Sequence, residues 1–320
     1  MRYSCLSRVY RWARAFTVTV ACGVAASALA APKIGVLFKD KSPGFWVLAE
    51  KGAEETAHAL GAEVNVKAPP TVLDGSAQLR LLAALAAEKP DALVIAATNP
   101  ESVEAAVAEL AAKGVKIVTV DTPLKDGLAN TFVGADQVAM AEAAAKVFLS
   151  IIVDGDEVAL LRNNSVDRTV ITRETTLREA LKAKSNVTFH GDIYASSEKD
   201  SEDERAVVLL TKYPGTKAVF ASATRGTLST IKAVRAKGLV GKVHVVGFGT
   251  YLPAEAAKAF EDGILVGWIA QKPKDLGVKA VQAAVALVKG ETVPAVMRPD
   301  FLLVTQDNFR SAEAQALLNP

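Results

Sequence analysis

The chain has 320 residues, of which half are hydrophobic, 37 are Lys or Arg and 35 are Asp or Glu. So high an apolar fraction with a net charge of only +2 excludes a disordered chain, and two cysteines are too few for a disulfide-built scaffold. The charge is unevenly placed, because residues 1–30 carry four arginines and no acid. The other 290 residues hold 33 basic and 35 acidic side chains, a net charge of −2, so we expect no nucleic-acid partner.

The first thirty residues have the pattern of a secretory signal peptide. Arginines up to Arg14 precede an apolar run over 15–28, and small residues lead up to Ala30. This pattern predicts cleavage after Ala30 and export to the periplasm, and the run is too short for a permanent membrane anchor. Lipid attachment at Cys22 is the less favoured alternative, because Thr19 is a poor residue three positions before it.

From residue 33 onwards, short apolar runs alternate with amphipathic, alanine-rich segments. The apolar runs predict strands at 34–38, 64–66, 92–96, 115–120, 131–133, 157–161, 186–193, 218–221, 243–246, 264–270 and 301–304. The amphipathic segments predict helices at 45–60, 76–88, 100–113, 136–150, 168–184, 224–237 and 274–289. Strands that alternate with helices favour two α/β halves with parallel sheets, and the absence of a linker suggests that several short crossings join them.

The sequence carries no catalytic or cofactor-binding motif. Its three histidines, His58, His190 and His244, lie far apart, and no cysteine stands near them at metal-ligand spacing. A P-loop, a G-x-G-x-x-G turn and a nucleophile elbow are all missing from the sequence. We therefore predict a protein that is not an enzyme and that needs no cofactor and no metal.

Residues that follow the predicted strands have ligand-binding chemistry instead. In open parallel sheets, such residues face the crevice where ligands bind. They include aromatic rings, a carboxylate, amides, guanidinium groups and hydroxyls, within 39–46, at Asp121, within 162–164, and at Ser222, Thr224, Phe248 and Thr250. This set suits a small polar molecule that is held by hydrogen bonds and ring stacking.

Several short segments, taken in order, carry a family resemblance. They lie at 34–38, 45–53, 91–95, 113–121, 133–136, 218–221, 245–248 and 269–271. The ordered set behind a signal peptide resembles the type I periplasmic solute-binding proteins of the ribose/galactose-binding group, which supply ABC importers. The resemblance implies two Rossmann-like lobes with parallel sheets, joined by three hinge crossings. The lobes would be 31–135 plus 272–299, and 136–271 plus 300–320.

The resemblance also implies roles for individual residues. Phe45 and Trp46 match aromatic residues that stack on a sugar ring, Asp121 matches a carboxylate that accepts sugar hydroxyls, and Arg173 and Gln271 match polar contacts of the second lobe and hinge. Read from the residues alone, one aromatic could belong to the core, Asp121 could cap a turn, and Arg173 could be a surface ion-pair partner. The predicted ligand-binding set is Phe45, Trp46, Asp121, Thr122, Asn163, Arg173, Thr224 and Gln271, with Lys39, Ser42, Arg162, Arg168, Ser222, Arg225 and Gly249 as further candidates.

The chain departs from the monosaccharide binders of this group at three strand ends. It has Thr122 where they carry arginine, Ala223 and Thr224 where they carry Asn-Asp, and Gly249 where they carry aspartate. Fewer carboxylates beside retained arginines predict a site that favours a neutral or anionic ligand, including a phosphorylated or acidic sugar. The arginines concerned are Arg162, Arg168, Arg173 and Arg225.

Two functions remain open at this point. The resemblance favours the substrate-binding component of an ABC importer, which binds a sugar or sugar-like ligand between closing lobes and delivers it to a membrane permease. A periplasmic sensor that presents its ligand to a membrane receptor or kinase is the alternative. In either case we expect a monomer.

Overall fold

The computed structural model describes residues 30–41, 44–164, 167–195 and 201–317. From Ala31 onwards these residues form one compact unit. Its strands are β1 (Lys33–Leu37), β2 (Glu63–Lys67), β3 (Ala92–Ile95), β4 (Lys116–Val120), β5 (Thr131–Val133), β6 (Glu157–Asn164), β7 (Thr188–Ala195), β8 (Thr216–Ala221), β9 (His244–Gly249), β10 (Leu265–Gln271), β11 (Val296–Met297) and β12 (Phe301–Thr305). Its helices are α1 (Phe45–Leu60), α2 (Gly75–Ala87), α3 (Pro100–Ala112), α4 (Gln137–Leu149), α5 (Arg168–Lys182), α6 (Glu202–Lys212), α7 (Thr224–Ala236), α8 (Ala254–Glu261), α9 (Pro273–Val288) and α10 (Ala312–Ala316).

The strands form two separate sheets. The first has the order β11-β5-β4-β3-β1-β2 and is parallel throughout. The second has the order β12-β10-β9-β8-β6-β7 and is parallel except that β12 runs antiparallel to β10. We call the first sheet with α1, α2, α3 and α9 the N-lobe, and the second sheet with the other helices the C-lobe.

Each sheet is buried on both faces, which explains why its strands are continuously apolar rather than alternating. In β3, for example, all four side chains are buried. One face of the N-lobe sheet packs against α1 and α9, and the other packs against α2 and α3. In the C-lobe, α4 and α5 cover one face, and α6, α7 and α8 cover the other.

The chain passes between the lobes three times. The crossings join β5 to α4, β10 to α9, and β11 to β12. The predicted fold class, two Rossmann-like lobes joined by three crossings, is therefore confirmed. Arg298, in the third crossing, contacts the first one, because it approaches the carbonyl oxygen of Gly134 and the carboxylate of Asp136.

Two glycines allow α1 and α9 to pack in backbone contact. A Cβ atom on Gly277 would lie 1.9 Å from the carbonyl oxygen of Ala49, and one on Gly52 would lie 2.2 Å from that of Lys274. Both distances are far below any real contact, so larger residues would force the helices apart. Since α9 follows the second crossing, this contact packs the chain against the N-lobe where it returns from the C-lobe.

The sequence patterns located the long elements well, but they missed four shorter ones. Helix α1 has the predicted bounds and ends at Gly61, whose φ of +66° gives the left-handed C-cap that glycine adopts readily. Missed were α6, α8, α10 and the two-residue strand β11. The acidic residues at 202–204 form the first turn of α6, where the N-cap Ser201 accepts a hydrogen bond from the Glu204 amide.

None of the helices in the described residues is long and apolar enough to cross a membrane. Within the same residues, no group of three His, Cys, Asp or Glu side chains is arranged to hold a metal ion.

Candidate functional site

A cavity of about 670 Å³ lies between the two lobes, at the carboxyl ends of both parallel sheets. N-lobe residues that follow β1, β2 and β4 form one wall, and C-lobe residues that follow β6, β8 and β9 form the other. Gln271, the last residue of β10, lines the cavity at the second crossing. This volume is within the range of pockets that bind small molecules.

Phe45 and Trp46 present aromatic surface from the start of α1. Trp46 is only 7% exposed and stacks on Phe38, with 5.0 Å between the ring centroids. Phe45 meets Trp46 edge to face at 4.8 Å and is less buried. Both rings line the cavity, but Trp46 is also part of the N-lobe core. Phe45 is therefore the ring that is better placed to stack on a ligand.

Lys39 is buried next to the cavity and makes hydrogen bonds to both lobes. Its ammonium group donates to Oδ2 of Asp121 in the N-lobe at 2.7 Å, and to Oδ1 of Asp167 in the C-lobe at 2.8 Å. A third contact, at 3.3 Å, reaches Oγ1 of Thr169, so all three ammonium protons have partners. Thr122 and Thr169 add a further bond between the lobes at 2.9 Å. The lobes are therefore in contact across this end of the cleft.

Burial and pairing act in opposite directions on the charges of this bridge. Burial disfavours the ammonium charge, but attraction to Asp121 and Asp167 outweighs it and raises the pKa of Lys39 above its usual value. Burial alone would raise the pKa of Asp167. The attraction of Lys39, together with the hydrogen bond from the Thr169 amide, holds that pKa below its usual value instead. The bridge is thus a charged one at neutral pH.

Arg173 lies on α5 and is 5% exposed. Its Nε and Nη2 groups donate to Oε1 of Gln137 at 3.1 and 2.8 Å, and its Nη1 group donates to the carbonyl oxygen of Ser222. The guanidinium carbon stands 4.0 Å from the centroid of the Phe248 ring. Burial lowers the pKa of Arg173, and nearby carboxylates partly offset this. Because arginine stays protonated in proteins, this side chain is a fixed cation at the cavity wall.

The other cavity residues of the C-lobe are tied to one another. The hydroxyl of Ser222 donates to Glu174 at 2.7 Å and accepts from the backbone N–H of Asn163 at 3.1 Å. Arg225 pairs with Glu202 at 3.2 Å, and its side chain is mostly exposed. Thr250, by contrast, is buried, and its Oγ1 has no hydrogen-bond partner among the described residues.

The structure brings most of the predicted site residues to the cavity wall. Those that line it are Phe45, Trp46, Asp121, Asn163, Arg173, Ser222, Thr224, Arg225, Gly249 and Gln271. Arg173 is not the surface ion-pair partner that its helix position also allowed. Asp121 does not merely cap a turn, since its carboxylate bonds Lys39 and Thr169. Ser42 lies outside the described residues.

Four predicted residues do not line the cavity. Lys39 and Thr122 are buried in the bridge between the lobes, where their polar atoms already have protein partners. Arg162 donates to Glu174 at 2.6 Å. Arg168 is exposed and pairs with Glu101 at the start of α3. Each of these side chains therefore contacts the protein instead of the cavity.

Sequence reasoning also missed residues that the cavity contains. They include Thr169, Asp167, Tyr251 and the segment 70–73 that follows β2. Asp167 could have been predicted from the sequence as the N-cap of α5, because it directly precedes that helix. Its side chain does cap the helix by accepting a hydrogen bond from the Thr169 amide. The others stand in loops or beside helix ends, where no pattern separates them from ordinary surface residues.

The cavity holds more carboxylates than the sequence led us to expect, which leaves a neutral ligand, one of the two expected classes, as the better fit. Among the described residues, four carboxylates line the cavity, against two arginines, Arg173 and Arg225. The carboxylates belong to Asp40, Asp121, Asp167 and Glu202. Even when Lys39 is counted, three positive charges stand against these four carboxylates. The arrangement therefore favours a neutral polar ligand over an anionic one.

Comparison with known proteins identifies the family. Residues 34–292 match the family described as periplasmic binding protein domain. This chain belongs to that family.

Other periplasmic binding proteins are similar to it along most of their length. The D-allose-binding periplasmic protein of Escherichia coli is 29% identical over 287 residues, which cover 87% of this chain and 92% of that protein. The ribose import binding protein RbsB of the same organism is 27% identical over 295 residues, with coverage of 90% and 96%. A carbohydrate transporter solute-binding protein from Agrobacterium radiobacter, solved in complex with D-arabinose, is 25% identical with a TM-score of 0.82, covering 91% of this chain and all of that one.

Proposed function

We propose that this chain is the substrate-binding component of an ABC importer and that it binds a neutral sugar between its two lobes. The observation that carries the proposal is the cavity at the carboxyl ends of both sheets, which is lined by hydrogen-bonding groups and aromatic rings from both lobes. Membership of the periplasmic binding protein family, relatives named for allose and ribose, and a similar structure solved with D-arabinose support a sugar as the ligand.

The mechanism follows from groups that lie on opposite walls. Phe45 and Asp121 belong to the N-lobe, whereas Asn163, Arg173 and Thr224 belong to the C-lobe. A sugar that contacts both walls binds the closed arrangement more tightly than the open one. Its binding energy therefore shifts the population towards the closed arrangement, which is how a small molecule controls the lobes.

Each wall offers a different kind of contact to a sugar. Phe45 supplies a ring face for the apolar side of a pyranose or furanose. Asp121 retains Oδ1 for sugar hydroxyls, because Lys39 and Thr169 contact only Oδ2 in the described bonds. Arg173 uses three of its five N–H groups within the protein, so two are left to reach a ligand oxygen.

Location and partners complete the proposal. We infer removal of the leader after Ala30, release into the periplasm, and action as a monomer. The lobes would comprise 31–135 plus 272–299, and 136–271 plus 300–320. A membrane permease would then accept the sugar from the closed protein, and no chemical change of the sugar would take place.

A thermal-shift screen followed by calorimetry tests the proposal. Purified protein is tested against neutral pentoses and hexoses, the matching sugar phosphates, and the sugar acids. We expect a neutral sugar to raise the Tm, because a ligand at about 1,000 times its Kd stabilises the folded state by roughly 4 kcal/mol. The bound sugar should be recovered unchanged. A panel in which only phosphates or acids stabilise the protein contradicts the neutral-sugar assignment, and a panel without any stabilising compound contradicts sugar binding.

A further inference from the structure

The hydrogen bonds around Arg173 connect the cavity wall to the first crossing between the lobes. Gln137 is the first residue of α4 and follows that crossing directly. Oε1 of Gln137 accepts both Nε–H and Nη2–H of Arg173, which is a paired contact along one edge of the planar guanidinium group. Because two N–H groups on the same edge of the guanidinium are held, the contact restricts both the position and the orientation of the Arg173 side chain.

The other contacts of Arg173 restrict its plane. The carbonyl oxygen of Ser222 accepts from Nη1, and the Phe248 ring lies beneath the guanidinium at 4.0 Å. Cations over aromatic faces are attracted to the ring, but this attraction does not fix rotation in the plane of the ring. Only the hydrogen bonds to Gln137 and Ser222 determine where the remaining two N–H groups point.

The orientation of the Gln137 amide is itself determined by Arg173. Arginine has only donors, so the atom that faces it must be the amide oxygen. As a result, Nε2 of Gln137 is buried and has no hydrogen-bond partner among the described residues. A buried, unsatisfied amide group is costly, and the contact with Arg173 is what compensates for it.

We propose that Gln137 is a positioning residue for ligand binding, which aims the two remaining N–H groups of Arg173 into the cavity without lining the cavity itself. This inference rests on the proposed function, because it assigns Arg173 a ligand contact. The hydrogen-bond acceptors of Arg173 are neutral, namely Gln137 and the carbonyl of Ser222. In the described contacts, therefore, no direct ion pair neutralises its charge. Substitution of Gln137 should therefore act on the ligand only through Arg173.

Two variants separate positioning from general structural damage. Gln137→Met has a similar length but removes the acceptor, whereas Gln137→Glu keeps oxygen acceptors for both arginine donors. Gln306→Met is a control for the loss of a glutamine hydrogen bond elsewhere in the C-lobe, because Nε2 of Gln306 donates to the backbone carbonyl of Phe260 and the residue does not line the cavity. Arg173→Met, alone and combined with Gln137→Met, completes a double-mutant cycle.

The first measurement needs no sugar. In proton–nitrogen NMR, the Nε–H of Arg173, assigned by its loss in Arg173→Met, should exchange slowly with water because it is buried and hydrogen-bonded. We expect Gln137→Met to lose this protection, and Gln137→Glu and Gln306→Met to retain it. A signal that stays protected in Gln137→Met overturns the positioning role, whatever the sugar screen finds.

The second measurement is calorimetric affinity for the best neutral sugar of the screen. We expect about a tenfold or greater loss in Gln137→Met, recovery in Gln137→Glu, and no change in Gln306→Met. In the Arg173→Met background, Gln137→Met should have no further effect. A loss of equal size in that background overturns the proposal, since Gln137 would then act independently of Arg173. A wild-type protein that binds no sugar overturns the proposed function, while the NMR result still decides the positioning role.

Discussion

The ammonium group of Lys39, in the N-lobe, donates a 2.8 Å hydrogen bond to Oδ1 of Asp167, in the C-lobe. The same ammonium group bonds Asp121 at 2.7 Å, so one buried cation bridges a carboxylate from each lobe. Separation of the lobes would break the contact with Asp167 and expose the lysine to water. The bridge therefore connects the two lobes independently of any sugar contact.

We predict that Lys39→Met favours the open arrangement. Removal of one partner from a buried ion pair costs roughly 3–5 kcal/mol, because the remaining carboxylates stay buried and uncompensated. The lobes can relieve this cost by separating, so small-angle X-ray scattering of ligand-free protein should show a larger radius of gyration. Sugar affinity should fall by about tenfold or more, since ligand binding must then pay for closure.

The exposed pair between the lobes provides the control for this prediction. Arg168 pairs with Glu101, and both side chains are more than half exposed. Exposed pairs contribute roughly 0–1 kcal/mol, so Arg168→Gln should leave the radius of gyration and the affinity nearly unchanged. Equal effects of Lys39→Met and Arg168→Gln would mean that burial does not distinguish the two contacts.

The same bridge predicts a dependence of stability on acid. The pKa of Asp167 is held below its usual value, so its stabilising contribution is present above that usual value, about 3.8, and is lost as the pH falls further through the lowered pKa. The pKa of Lys39 is raised, so its contribution is complete below about 10.5 and is lost only at more alkaline pH. Stability from the bridge should thus be flat between these limits.

Lys39→Met should lose less of its stability, relative to wild type, at acid pH than at neutral pH. Without the lysine, burial raises the pKa of the Asp167 carboxyl above its unfolded value, so the folded protein takes up a proton first as the pH falls. Protonation removes the unpaired buried charge, so this contribution to stability rises as the pH falls, opposite in sign to that of wild type. In urea unfolding measured from pH 3 to pH 8, the difference in free energy of unfolding between wild type and Lys39→Met should therefore become smaller as the pH falls. A difference that stays constant with pH would contradict the assignment.

The close contact between α1 and α9 predicts that one added methyl group lowers the free energy of unfolding. Gly277→Ala places a Cβ on the carbonyl of Ala49, and overpacking of this kind costs about 1–3 kcal/mol, occasionally more. Gly75→Ala is the control, because it begins α2, has no atom within 4 Å of the new Cβ, and has a φ that alanine adopts. Urea unfolding should show destabilisation by Gly277→Ala alone.

Of the two aromatic residues at the start of α1, Phe45 should contribute mainly to sugar affinity and Trp46 mainly to the stability of the fold. Phe45→Ala should lower sugar affinity by about three- to tenfold, since stacking contributes roughly 0.5–1.5 kcal/mol, with a smaller effect on unfolding. Trp46→Ala should reduce the free energy of unfolding by about 3–5 kcal/mol, because this ring is buried against Phe38 in the N-lobe core. Calorimetry and urea unfolding of both variants separate the two roles. A Phe45→Ala protein with wild-type affinity would remove Phe45 from the ligand contacts.

Local patterns were sufficient for the long elements but not for the short ones. Helix α1 was predictable because sixteen residues carry a repeating apolar face and a glycine ends the helix. The strand β11 has only two residues, and α10 has five, so neither is long enough for its pattern to repeat. In α6, the acidic first turn masked an apolar run that packs in the C-lobe core.

The sequence by itself determined the alternation of strand and helix, and with it the rule that residues after strands face a shared crevice. That rule placed Phe45, Asp121 and Ser222 at the cavity, because the geometry of a parallel sheet is local and repetitive. Only the tertiary structure decided which charges meet. Lys39 and Asp167 are 128 residues apart, and Arg168 and Glu101 are 67 apart. Such pairs depend on how the two lobes close, and pairing rather than composition sets the charge that a ligand encounters.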